Sequence, residues 1–505
     1  MADIVLATIN AKWIHPSLAL RLLKANLGSL ADRAEILEFA LRQSLAEKTG
    51  PIYERAPRIL ALSVSIWNHL ATLELLASLK TSPPSFDPVI ILGGPEASTI
   101  AADAGLCSYA DYIIRGEGET AFRKLCERIL RTDIPKRGAA FPHPQRGTDA
   151  FFAPPPSAGV LLRKSPATPQ SGPRLAAPVF INAPPEDLNS LASGYRLYTE
   201  EDLRRKLVYV EASRGCPFGC EFCLSSLDRK VREFPLEPFL AELELLIRRG
   251  GRTFKFLDRT FNLDGERAGR IMDFFLDRLK EPENKGLVVH FEILPSRLLP
   301  PLRERIACFP EGSLRLEAGI QTLNPRTAAL IGRPSKPEAE LETLRFLSEK
   351  TRALVHADLI AGLPGEDLAS FAEGFDRLWA VRPAEIQLGI LKCLPGTPLS
   401  RHNEAWGMKY AAQPPYEVLE TSVLPKDDLD RVKNFARFWE IIVNRGKFNT
   451  LLPELLPPGQ GAFGRFMEIS AALLSRFGKN WGIDRGDLQE ALDDFALAYP
   501  KRPSR

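Results

Sequence analysis

The chain has 505 residues, 45% of them hydrophobic and 26% charged, with a formal net charge of +3. That length is too great for one ordinary core, so two or three domains are expected, in a composition ordinary for a soluble globular protein. The small net charge gives no case for nucleic-acid binding, and no apolar run approaches the roughly 18 residues of a membrane span. Four of the seven cysteines, Cys107, Cys126, Cys308 and Cys393, are scattered singly. That usage fits a reducing cytoplasm rather than a disulfide framework.

The opening MADIVLATINAKW has no basic segment before its apolar run and reads as a first strand rather than a signal peptide. Short apolar runs then recur at AEILEFA (34–40), RILALSVSIW (58–67), PVIILGG (88–94) and DYIIRG (111–116), with helical segments between them. One of these, PSLALRLLKANLGSL (16–30), is amphipathic, with Pro16 expected in its first turn. The alternation predicts an α/β domain at 1–132 built as a doubly wound, Rossmann-like parallel sheet. In such sheets ligands bind where the carboxyl ends of the strands meet their loops. The candidates there are Ser63 and Ser65, Gly93 and Gly94 of GGPEAS, and Gly116, Glu117 and Gly118 of GEGET. GGPEAS matches neither the dinucleotide nor the triphosphate glycine pattern.

Residues 133–190 lose all periodicity and hold twelve prolines, the composition of a linker. From 191 to 405 the alternation returns. Strands are expected at KLVYVEA (206–212), TFKFLD (253–258), LVVHFEI (287–293), SLRLEAGI (313–320), ALVHADLIAG (353–362) and EIQLGILK (385–392). Six βα units make a partial, TIM-like (β/α)6 barrel, with chemistry at the carboxyl ends of its strands. Residues 406–505 read as a mainly helical extension.

SRGCPFGCEFCLSS (213–226) follows the first barrel strand and carries Cys216, Cys220 and Cys223. Gly215, Pro217 and Gly219 exclude a helix and suit a loop wrapped around a compact object. A structural zinc takes four ligands. No histidine lies between His143 and His290, so zinc would need a distant ligand. Iron–sulfur clusters are held by thiolates, usually four. Three would leave one iron open to substrate or cofactor. A metal-free buried cluster is the remaining alternative.

Cys216-x3-Cys220-x-Phe222-Cys223 resembles the signature of the radical S-adenosylmethionine (SAM) superfamily. The resemblance implies a [4Fe–4S] cluster on the three cysteines and SAM on the open iron, cleaved to a 5′-deoxyadenosyl radical. It places Phe222 near the adenine. LEAGIQTLNPRTAALIGR (316–333) resembles the fourth-strand region, which implies Glu317 and Gln321 near SAM. HADLIAGLPGED (356–367) and LGILKCLPGTPL (388–399) resemble the fifth and sixth. The family's Gly-Gly-Glu-Pro is replaced by FLDRTFN (256–262), as in cobalamin-dependent members. Asp258 in that segment and Glu292 in HFEILP are expected to line a cavity between the domains, as catalytic candidates.

ILGGPEAS followed by ADYIIRGEGETAFRKL (110–125) resembles the cobalamin domain of B12-dependent radical SAM enzymes, and the likeness covers 1–130 and 205–400. Asp-x-His-x-x-Gly, the mark of a histidine-ligated cobalt, is missing after the first strand, where Asn10 and Lys12 replace its Asp and His. His15 reads as a helix-entry residue. The expectation is a cobalamin without a histidine ligand, its tail running toward Ser63, Ser65 and Gly93–Gly94. PPYEVLETSVL (414–424) opens what looks like the uncharacterised extension of one subgroup. The implied activity is methylation of an unactivated carbon of an unknown substrate, with an external electron donor of flavodoxin or ferredoxin type. Alternatives are a non-methylating radical rearrangement, cyclisation or oxidation with the same cofactors, or a cobalamin- or cluster-based sensor.

Overall fold

A computed structural model describes residues 2–81, 86–131, 177–457, 459 and 461–498. The chain divides into two compact units, Met1–Leu207 and Val208–Arg505.

The first unit is built on six parallel strands: β1 (Ile4–Asn10), β2 (Ala34–Ala40), β3 (Ile59–Ser63), β4 (Val89–Gly93), β5 (Tyr112–Arg115) and β6 (Val179–Asn182), in the order β2-β1-β3-β4-β5-β6. Strand order reverses between β1 and β3, the switch point of a doubly wound sheet. Helices cover both faces, so β1 is apolar from Ile4 to Ala7 and again at Ile9. Its Ile4 and Leu6 pack with Leu20, Phe122 and Leu125 on one side. Its Val5, Ala7 and Ile9 pack with Ile52, Leu75 and Leu76 on the other. Successive side chains of a strand point to opposite faces, so a sheet covered twice needs continuous apolar runs.

Four local expectations change. Pro16 lies before the first helix rather than inside it. Ser17 is the cap, its side chain accepting from Leu20 N at 3.3 Å, and the helix spans Leu18–Ala25. The strand expected over 58–67 stops at Ser63, because Asn68 draws the following residues into a turn through Ser65 N. Of the expected linker, 133–176 lies outside the described residues, whereas Val179–Asn182 forms β6 against β5, with Ile181 buried. Residues 191–207, expected with the barrel, cluster with the first sheet. Buried Arg21 bridges Glu38 (3.0 Å) and Asp202 (2.8 Å) and lies 4.5 Å over the Tyr198 ring.

The second unit has its own six parallel strands: β7 (Val208–Val210), β10 (Thr253–Phe256), β11 (Val288–Ile293), β12 (Leu314–Gln321), β13 (Leu354–Ala361) and β14 (Glu385–Ile390). Their order is β14-β13-β12-β11-β10-β7, the expected partial barrel. A short antiparallel ribbon, β8 (Ser213–Arg214) with β9 (Arg232–Glu233), closes the cysteine loop at its base. A second ribbon, β15 (Lys409–Tyr410) with β16 (Val418–Glu420), continues from the end of β14 through Val418 N to Leu391 O (2.8 Å).

The C-terminal region is helical, as expected, but shares the barrel's core. Phe375 of the barrel helix Leu368–Ala380 meets Phe435, Trp439 and Phe463, with ring centroids 4.8–5.6 Å apart. Aromatic surface of this size dominates the packing, which is why helices Lys426–Trp439 and Ala462–Phe477 fall within the barrel's compact unit.

Candidate active site

In the second unit the barrel strands alternate. In β11 Val289, Phe291 and Ile293 are buried toward the helices, while His290 and Glu292 are half-buried on the inner face. In β12 Leu316, Ala318 and Ile320 face outward, against Glu317, Gly319 and Gln321. In β13 Val355, Ala357 and Leu359 alternate with His356 and Asp358. The inner face is therefore ionisable, whereas a closed eight-stranded barrel fills it with branched aliphatic side chains. The result is a solvent-open cavity of about 200 Å³.

Cys216, Cys220 and Cys223 line this cavity together with Phe222, Glu292, Glu317, Gln321, Arg333 and Asp358. The loop that carries them is fixed by its own backbone. Gly215 has φ +92°, and a Cβ there would lie 2.4 Å from Lys230 O. Cys216 N donates to Asp228 O (2.9 Å) and Cys223 N to Cys220 O (3.0 Å). From outside the loop, Glu221 N donates to Ile331 O (2.9 Å). A Cβ on Gly332 would lie 2.7 Å from Gly219 O, so the loop rests against bare backbone. The Glu221 carboxylate is buried and accepts from His402 Nε2 (2.9 Å), with Arg401 as a second partner.

Asp258 is placed differently from the expectation. It is 3% exposed and does not line the cavity. Its carboxylate accepts from Ala212 N (2.9 Å) and Ser213 Oγ (2.5 Å), anchoring the approach to the cysteine loop. Burial pushes this carboxyl up to about 6, against those two hydrogen bonds. Glu292 lines this cavity, which lies within the second unit, and burial pushes it up to about 7, with Arg259 opposing and Glu317 adding to the rise. Asp358 is raised well above the usual carboxylate range by burial first, then by Glu317 and Glu292. Its Oδ1 is buried and has no hydrogen-bond partner, an orphan that a bound group would satisfy. Glu317 goes the other way, held at about 2 by His290 and Lys255 against its own burial. Lys255 Nζ donates to Glu317 Oε2 at 3.1 Å; His290 Nε2 approaches the same oxygen at 3.2 Å without hydrogen-bond alignment.

Gln321 has φ +70°, the left-handed region that side chains avoid. It follows a bulge, where Gly319 pairs with Asp358 but Gln321 with Leu359. Bulges of this kind re-aim a side chain beside a site. Arg333 was not singled out from the sequence. It donates to Gly319 O and Ile320 O, and its Nη1 lies 3.9 Å from Cys220 Sγ. Burial pushes the Cys220 thiol up and Arg333 pulls it back toward the thiolate. The signal for the ionisable inner face lay in the period-2 spacing of His290 with Glu292 and of His356 with Asp358.

Among the described residues, no three His, Cys, Asp or Glu side chains gather closely enough to hold one metal ion. A mononuclear zinc draws sulfurs to about 2.3 Å of one point. Cys216, Cys220 and Cys223 all line the one cavity, and thiolates are the usual ligands of iron–sulfur clusters.

In the first unit the candidates sit at the carboxyl ends of the strands, and several serve the fold itself. Fully buried Asn68 donates to Ile9 O (3.0 Å) and Ser63 O (3.2 Å), stapling β1 to β3 at the switch point. Ser65 is buried, its N donating to Asn68 Oδ1 (2.8 Å). Gly94 has φ +99°, and a Cβ would meet Val64 O at 2.7 Å, whereas Gly93 has room for one. Gly116 is required by Ala183 O, 2.5 Å from a Cβ, and the Glu117 carboxylate accepts from Glu186 N (2.7 Å). Gly118 packs on Leu23. His15 closes a turn, its N donating to Lys12 O (3.2 Å).

Residues 210–378 match the Radical SAM superfamily, and 404–499 match a family described only as a protein of unknown function, DUF4080. The chain thus carries a radical SAM domain. It is 25% identical over 285 residues to an uncharacterized methyltransferase of Pyrococcus horikoshii, covering 55% of this chain and 54% of that protein. It is 22% identical over 420 residues to the cobalamin-dependent radical SAM methyltransferase TokK of Streptomyces tokunonensis, covering 75% and 56%. The chain spans about half the length of these curated relatives. The cobalamin-dependent SAM radical enzyme OxsB shares the fold with TM-score 0.60 at 15% identity, over 98% of this chain and 75% of that one. The methyltransferase TsrM of Kitasatospora setae does so with TM-score 0.54 at 18% identity, over 79% and 75%.

Proposed function

We infer, from the radical SAM domain at 210–378, that this chain binds a [4Fe–4S] cluster, SAM and cobalamin and methylates an unactivated carbon. The observation that carries the reading is one cavity holding all three thiols of a single loop beside an orphaned buried carboxylate, Asp358. Cys216, Cys220 and Cys223 would hold three irons. When bound, the cluster and SAM supply a carbon radical for hydrogen abstraction, and cobalamin supplies the methyl carrier.

The chain's own groups divide the remaining work by charge. Arg333 pairs with an anionic group such as a carboxylate next to Cys220. Asp358 and Glu292, their carboxyl pKa values raised by burial and neighbouring carboxylates, would accept hydroxyl or ammonium donors of a bound group, which offset that repulsion. Glu317 stays ionised and holds Lys255 against β12, keeping the cavity floor fixed. The first unit offers its switch point for cobalamin, with Asn68 shaping the turn that carries Ser65.

Anaerobically reconstituted wild type should show the cluster's brown absorbance and release 5′-deoxyadenosine from SAM, and Cys216→Ala should lose both. Retention of both by the variant would overturn the reading. Methyl-labelled SAM separates methyl transfer, which puts label into product, from rearrangement, cyclisation or oxidation, which does not.

A further inference from the structure

We propose that the outer face of the cysteine loop, at Leu227, Arg229 and Lys230, docks an acidic one-electron carrier protein that reduces the cluster. The inference rests on the cluster reading above. The loop is closely packed on its own backbone here. A Cβ on Gly219 would sit 3.3 Å from Arg229 Nη2, and one on Gly215 would sit 2.4 Å from Lys230 O. Arg229 and Lys230 therefore back directly onto the residues preceding Cys220 and Cys216.

Both side chains are exposed, and neither has an acidic partner among the described residues. The one carboxylate within 226–232, Asp228, is taken by Arg232 at 2.7 Å. Arg214 across the ribbon is taken by Glu211 at 2.8 Å. Two positive charges thus stand uncompensated beside Leu227, an apolar side chain 51% exposed. Paired charges elsewhere on this rim make the two unpaired ones a feature of the loop rather than of a generally basic surface. Small, weakly held interfaces steered by opposite charge are characteristic of electron-transfer encounters. The step is a one-electron transfer from the reduced carrier to the oxidised cluster, with no bond made or broken. The carrier leaves oxidised by one electron.

The test uses the full chain with its cluster reconstituted, as wild type and as Arg229→Glu/Lys230→Glu. Cluster bleaching is followed by stopped flow with a flavodoxin hydroquinone, with a reduced low-potential ferredoxin, and with photoreduced 5-deazaflavin, an uncharged small reductant. With a protein carrier, charge reversal should slow reduction about tenfold or more at low salt. The wild-type rate should fall as salt rises, until the two converge. Deazaflavin should reduce both proteins equally. Lys230→Glu alone should show a smaller loss of the same kind, and it serves where the double variant loads cluster poorly. Equal low-salt rates with both carriers would overturn the docking site while leaving the cluster reading intact. Failure of deazaflavin to bleach wild type, or to yield 5′-deoxyadenosine from SAM, would overturn the cluster reading and the docking site with it.

Discussion

The two units are each built on a sheet of six parallel strands, yet they use it oppositely. In the first, both faces of β1 are covered by helices and its buried positions are apolar apart from Thr8. In the second, only the outer face of β11, β12 and β13 is apolar, and the inner face carries His290, Glu292, Glu317, His356 and Asp358. A flat sheet covered twice leaves chemistry only at its strand ends. A sheet curled on itself gives up one face of packing and gains a wall on which ionisable groups can be held at fixed spacing. The first arrangement favours stability, the second places charge where it is costly to keep.

The contrast can be broken by substitution. Leu6→Ala and Leu60→Ala remove buried side chains on opposite faces of the first sheet. Each should cost about 2–5 kcal/mol in denaturant unfolding. In the second sheet, Phe291→Ala on the outer face should cost about 3–5 kcal/mol, while its neighbour Glu292→Gln should stabilise. A comparable loss at Glu292 would erase the distinction between the two sheets.

The Glu292 effect has a pH signature. Folding raises this carboxyl from 4.5 to about 7. The native state then binds more protons than the unfolded state across that window, so stability falls as pH rises through it. Glu292→Gln should flatten this slope and gain on the order of 1–3 kcal/mol at neutral pH, read from urea midpoints of the cluster-free chain. Gly332→Ala places a Cβ at a φ of +63°, 2.7 Å from Gly219 O. It should cost about 1–3 kcal/mol and lower the iron content after reconstitution. Asp264→Ala removes the cap that accepts from Glu266 N and Arg267 N. It should cost about 1 kcal/mol and leave cluster assembly untouched.

The sheets were legible because apolar runs of strand length are hard to mistake, and the cysteine loop because three thiols and three helix breakers share it. What escaped had distributed or non-local causes. β6 hid in a proline-rich stretch because a four-residue strand needs its neighbour β5 to exist. Asp258 looked like a cavity residue from its position at a strand end, but which way a strand-end side chain turns depends on the donors it finds, here Ala212 N and Ser213 Oγ. Gly94 and Gly116 read as room for a ligand, yet the atoms that need the room are Val64 O and Ala183 O. Arg333 lies 110 residues beyond Cys223, so no local pattern could join it to the cysteine loop. The inner-face charge was written in plain alternation, visible once each strand is divided by face.

The bond between Glu221 and His402 also has a meaning in time. The cysteine loop emerges from the ribosome long before the segment that clamps it, since 181 residues separate the two partners. At about 5–20 residues per second, roughly 10–40 s pass before His402 and Arg401 exist to close on Glu221. Through that interval the three thiols belong to a loop without its fastening, open to oxygen and to stray metal. The fastening of the cysteine loop is thus among the last parts of the barrel to be made, although the loop itself follows the barrel's first strand.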